Sequence, residues 1–75
     1  MKVTVKLVGG LVHALGFSEQ QLDLPAGTTA GSLLAGLGID RPGWVITTRN
    51  GQGIALDEPV EEGDRILVSP PFSGG

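Results

Sequence analysis

The 75-residue sequence predicts an α+β fold in which a mixed sheet of four or five strands carries one helix packed on one face. Three observations predict it. Residues 2–8 alternate apolar and polar side chains with the period of a half-buried strand. Ala30, Leu33, Leu34 and Leu37 recur at i, i+3, i+4 and i+7, one apolar stripe on a helix. The rest of the chain is cut into short apolar or β-branched runs by turn signals, so a hairpin is followed by a helix and then by more strands.

In the first strand Val3, Val5 and Leu7 point one way and Lys2, Thr4 and Lys6 the other, and Gly9-Gly10 ends it. Residues 11–17 are apolar but short, a wide connection with room for one helical turn. A second strand spans residues 19–24 with Leu22 and Leu24 inward, closed by Pro25-Ala26-Gly27. Thr28 or Thr29 caps a helix over residues 29–37, and Gly38 stops it. Gly31 and Gly36 each cost that helix about 1 kcal/mol relative to Ala, so it leans on tertiary packing, or its glycines permit close approach to the sheet. Residues 44–49 are aromatic and β-branched, hence a strand. Asn50-Gly51 is a two-residue turn, and Ile54-Ala55-Leu56 a short extended piece. Residues 65–69 form the last strand, and Pro70-Pro71 cannot continue a sheet. The expected core is Val3, Val5, Leu7, Leu22, Leu24, Leu33, Leu34, Leu37, Val45, Ile46, Leu56, Ile66 and Val68.

Composition excludes several functions. There is no cysteine, so no disulfide, thiolate metal site or Cys nucleophile, which fits a reducing compartment. The net charge is −3 and the five basic residues (Lys2, Lys6, Arg41, Arg49, Arg65) are scattered, which argues against nucleic-acid binding. No apolar run approaches the ~18 residues that span a bilayer, and polar residues interrupt any signal-peptide stretch, so a soluble cytoplasmic protein is expected. His13 has no second His or Cys beside which to bind a metal. Glu61, Glu62 and Asp64, like Asp57-Glu58, read as solvated turns. Trp44 is either a core residue or a partner-facing anchor. The serines lack a nucleophile setting, and no phosphate-cradling loop is present.

The remaining feature is the end of the chain. The last strand runs into Pro70-Pro71-Phe72-Ser73-Gly74-Gly75, after an acidic Glu61-Glu62-Gly63-Asp64 turn. This combination resembles the ubiquitin-like β-grasp sulfur carriers of the MoaD/ThiS family over the whole chain. The proline pair before Gly-Gly is most similar to the small subunit of molybdopterin synthase. The resemblance implies a β-grasp domain over residues 1–69 and a flexible tail over residues 70–75. It also implies that the protein is a carrier or co-substrate rather than an enzyme. An E1-like activating enzyme, using ATP and Mg²⁺, would adenylate the Gly75 carboxylate, and a sulfur donor would convert it to a thiocarboxylate. The implied acceptor is the pterin precursor of the molybdenum or tungsten cofactor, in a synthase with a larger subunit.

The tail residues suit that role. Gly74 and Gly75 lack Cβ atoms, so the terminus is narrow enough to thread into a partner's active site. Pro70 and Pro71 stiffen the exit and lower the entropy lost on docking. Phe72 offers an apolar anchor or folds back on the core, and Ser73 is small enough to pass. Two segments differ from the family pattern: residues 9–17 are glycine-rich without basic residues, and residues 41–53 differ from the family's usual short strand. The acceptor therefore stays open to thiamin thiazole synthesis or tRNA thiolation. A protein modifier joining Gly75 to a lysine, and an interaction module with an inert, frayed end, also remain.

Overall fold

The computed structural model describes residues 1–71. Five strands form one sheet in the order β2-β1-β5-β3-β4. They are β1 (Lys2–Leu7), β2 (Glu19–Asp23), β3 (Ile46–Arg49), β4 (Gln52–Gly53) and β5 (Arg65–Ser69). The first hairpin is antiparallel, β1 and β5 run parallel in the centre, and β3 pairs antiparallel with both β5 and β4.

The β1 alternation places Val3, Val5 and Leu7 on the buried face, where they meet Ile66 and Val68 from β5. The longer helix, α2 (Ala30–Gly36), covers this face with Leu33 and Leu34. Thr29 is its N-cap, and its hydroxyl accepts a hydrogen bond from the Ser32 amide at 3.1 Å. Leu37 is half-buried at the C-cap, and Gly38 comes next with φ 93°. Gly31 has a specific reason. A Cβ there would lie 3.1 Å from the Leu56 carbonyl oxygen, which accepts a hydrogen bond from the Gly31 amide at 2.8 Å. The close approach is thus to the loop after β4 rather than to the sheet. The connection after β1 holds a six-residue helix, α1 (Gly10–Leu15), which lays Leu11, Val12 and Leu15 against the core.

Three expectations need correction. Residues 44 and 45 are not strand: Pro42–Trp44 is a 3₁₀ turn, and Trp44 is 59% exposed. Ile46 is 53% exposed, because β3 has the opposite phase and turns Thr47 inward beside Val68. Val45 and Ile46 are consecutive, so a strand cannot bury both on one face. Leu56 is 39% exposed, lying in a turn beyond the two-residue β4 rather than in an extended piece at residues 54–56. Val60 fills the core instead.

The acidic turn also differs from its expected reading. Glu61 and Glu62 are exposed, but Asp64 is buried. Its carboxylate accepts from the Glu61 amide at 2.8 Å and from Asn50 Nδ2 at 3.4 Å, and it lies 3.6 Å from Arg49 Nη1. Asn50 Oδ1 in turn accepts from the Arg65 amide at 3.0 Å. Glu58 is likewise engaged, pairing with Arg49 at 2.9 Å and accepting from the Ala55 amide. These contacts tie the start of β5 to the Asn50-Gly51 turn, where both residues have positive φ as a two-residue hairpin requires.

Among the described residues, the Thr47 hydroxyl is buried and unpartnered. An unpaired buried hydroxyl carries a desolvation penalty of roughly 1–3 kcal/mol. Thr47→Val keeps the shape and removes that penalty, so a gain of about 1 kcal/mol is expected. Urea unfolding checks it: the midpoint rises with an unchanged slope.

Candidate functional site

The candidate site is the C-terminal end of β5 together with the tail it leads into. β5 is the central strand, held by β1 on one side and β3 on the other. Val68 is paired across both neighbours, with Leu7 in β1 and Thr47 in β3, and its carbonyl accepts from the Val8 amide at 3.2 Å. The strand exit is therefore fixed by the most enclosed part of the sheet. Burial of Ile66 and Val68 on the helix side anchors it further.

Pro70 and Pro71 come directly after Ser69. Neither has an amide proton, so the ladder stops here for a covalent reason. Pro70 is half-buried, and its ring lies against the Gly9 corner, while Pro71 is exposed. Phe72, Ser73, Gly74 and Gly75, the other expected site residues, lie outside the described residues.

Sequence reasoning did not find the surface beside this exit. Alternation along β5 turns Leu67 and Ser69 to the sheet face away from the helix. Ile46 is the direct partner of Ser69 and is exposed on that same face. Trp44 lies two residues earlier, with the Arg41 guanidinium 5.3 Å from its ring centroid, a cation–π arrangement that holds the indole at the surface. Trp44 and Ile46 have the greatest exposure among large apolar side chains of the described residues. The available signal was the pair Val45-Ile46, of which one member must face outward, but only the register against β5 decides which.

Among the described residues no cluster of three or more His, Asp or Glu side chains could hold a metal ion. No helix there is long and apolar enough to cross a membrane. What the arrangement provides is presentation: a rigid strand, a stiff proline exit and an apolar surface beside it.

The mixed five-stranded sheet with α2 across one face defines the ubiquitin-like β-grasp class. Residues 5–75 match the model of the ThiS family. The chain belongs to that family of small ubiquitin-fold sulfur carriers and modifiers. SAMP1 from Haloferax volcanii aligns over 100% of both chains with 26% identity and a TM-score of 0.81. The putative molybdopterin converting factor subunit 1 from Pyrococcus furiosus has 24% identity and a TM-score of 0.82, covering 96% of this chain and 99% of its own. A chain of the complex of subunits 1 and 2 of molybdopterin-converting factor from Helicobacter pylori aligns over 100% of both chains, with 23% identity and a TM-score of 0.67. No curated protein matches the chain.

Proposed function

We propose that this protein is a sulfur carrier whose reacting atoms are those of the Gly75 carboxylate. The observation that carries the reading is that the family match runs through residue 75, so the Gly74-Gly75 end falls within the matched pattern. The geometry adds that the preceding strand is the central one, paired on both sides.

The chemistry stems from the weakness of a carboxylate as an acyl electrophile, since its leaving group is an oxide. An E1-like partner with ATP and Mg²⁺ joins the carboxylate to AMP and releases pyrophosphate. A hydrosulfide-equivalent donor then attacks the acyl carbon. A carbon–sulfur bond forms, the carbon–oxygen bond to AMP breaks, and AMP leaves with the electron pair. One carboxylate oxygen has been replaced by sulfur. The carboxylate is anionic at neutral pH, with a reference pKa of roughly 3.5, so the partner supplies the compensating positive charge. Gly74 and Gly75 keep the terminus narrow, Ser73 passes with them, and Phe72 anchors on the partner. Residues 70–75 act as the tail of a domain ending at Ser69.

The favoured acceptor is the pterin precursor of the molybdenum or tungsten cofactor, with a larger synthase subunit as the second partner. The proline pair supports this acceptor, as does the likeness to the molybdopterin-converting-factor subunits. The likeness to SAMP1 supports a second reading, in which Gly75 forms an isopeptide bond with a lysine on another protein.

Intact mass spectrometry of protein from its native cells separates these readings. One oxygen-to-sulfur exchange in the C-terminal peptide is the result expected for a carrier. Higher-mass lysine conjugates without that exchange would favour the modifier. An unmodified mass even with ATP, the activating enzyme and a sulfur donor would sink the carrier reading and leave the modifier or an inert interaction module.

The exposed Trp44 and Ile46 are proposed to dock the activating partner, since a protein that takes the tail must cover the surface beside Ser69. Exposed aromatic side chains of this kind carry a large share of interface energy, about 2 kcal/mol or more. Trp44→Ala is expected to weaken partner affinity roughly 30-fold by that figure and to leave the unfolding midpoint unchanged. Calorimetric titration with the activating enzyme reads the first and thermal unfolding the second. Equal affinity in the variant would remove Trp44 from the interface.

A further inference from the structure

Most described glycines with positive φ have nothing within 4 Å of where a Cβ would stand. Gly9 is different. It has φ 62° and ψ −141°, a backbone region that side chains disfavour, and an added Cβ would lie 3.4 Å from Pro70 Cγ and 3.7 Å from Pro70 Cδ. The corner it makes joins β1 to α1, and its carbonyl accepts from the Val12 amide at 3.1 Å, which starts that helix. One residue earlier, the Val8 amide bonds to Val68, the last core residue of β5. The backbone at Gly9 is thus set by both neighbours, and the position a Cβ would take there is within van der Waals contact of the Pro70 ring.

We infer that Gly9 is a positioning residue for the tail: its corner seats Pro70 and so sets the direction in which the chain leaves the sheet. This rests on the carrier reading for its consequence in catalysis, though the seat itself does not. Pro70 has a ring-locked φ, so the ring's orientation is passed on to the backbone beyond it. An L-side chain at residue 9 disfavours positive φ, and the backbone moves to relieve it. That movement occurs under the Pro70 ring. On the carrier reading, a chain that leaves the sheet in a changed direction still docks, because Trp44 and Ile46 are untouched. It then reacts slowly, because proximity and alignment at the reacting carbon are lost.

The test compares Gly9→Ala with Gly63→Ala. Gly63 has φ 82°, with nothing within 4 Å of an added Cβ, and it sits at the opposite end of the sheet, its amide bonded to the Lys2 carbonyl. Both variants place a side chain at a positive φ, so both are expected to lower the denaturation midpoint. At a temperature where both remain folded, adenylation by the activating enzyme is expected to separate them. Gly9→Ala loses about 10–100-fold in kcat with KM nearly unchanged, and Gly63→Ala retains the parent kcat. Equal rates in the two variants, or a loss confined to KM, would overturn the inference.

A second readout needs no enzyme. In solution the parent and Gly63→Ala proteins are expected to give NOE cross-peaks between the Gly9 Hα protons and the Pro70 ring. Absence of these cross-peaks in the parent also overturns the inference. If the parent is not adenylated at all, the carrier reading fails, and the cross-peaks alone decide whether the seat exists.

Discussion

Deleting Gly75 is expected to abolish sulfur loading while leaving the thermal unfolding midpoint unchanged. The deletion does not remove the carboxylate; it moves it. Gly74 becomes the terminal residue, and the reacting carbon retreats by about 3.3–3.6 Å, the length of one extended residue. A misplacement of about 1 Å already costs on the order of 100-fold when a reaction depends on alignment. On the carrier reading, the partner's nucleotide site is fixed relative to the surface proposed to receive Trp44 and Ile46, so it does not move to meet the shortened end. The fold is indifferent, because its core is built from Val3, Val5, Leu7, Leu33, Leu34, Val60, Ile66 and Val68. The measurement is thiocarboxylate formation by intact mass in a reconstituted reaction, beside a thermal melt. Loading at the parent rate would remove Gly75 from the chemistry.

The second large effect concerns stability. Leu34 is fully buried in α2 and packs in the core cluster with the β1 and β5 side chains. Leu34→Ala removes that contact and leaves a cavity, costing about 2–5 kcal/mol. For a chain of this size the whole folding free energy is roughly 4–11 kcal/mol at ordinary values per residue. The variant is therefore expected to melt at least about 8 °C lower, since ~1 kcal/mol shifts the midpoint of so small a domain by ~4–8 °C. Calorimetry reads this directly. A shift of under about 2 °C would mean that α2 contributes little to holding the sheet.

These two predictions draw on different parts of the sequence. Leu34 was legible as core because its helix stripe repeats, with Leu33 and Leu37, over two turns. The tail was legible because Pro70-Pro71 and Gly74-Gly75 are unusual together, not because of any periodicity. The sequence leaves Trp44 open between core and partner-facing anchor, and it places Ile46 in the core because β3 has only four residues, with apolar or β-branched side chains on both faces. A short strand of that kind has two plausible phases. The sequence reads Asp64 as solvated because acidic residues in a Gly-containing turn normally are. Its burial depends on Asn50 and Arg49, 14 and 15 residues away, and local chemistry carries no trace of them.

By itself, the sequence determined what local physics decides. Alternation marked β1, a threonine at 28 or 29 and Gly38 bounded the helix, and Asn50-Gly51 placed a turn. The covalent structure of Pro70 and Pro71 ended the last strand. Tertiary structure alone decided the phase of β3, because its pairing of Ile46 with Ser69 and Thr47 with Val68 comes from register against a strand distant in sequence. It alone brought Gly9 beneath Pro70, across some 60 residues of chain, since only the parallel pairing of β1 with β5 puts those two ends together. Side-chain period is set within a few residues, whereas register is set by which strands meet, and the surface around the tail is made of register.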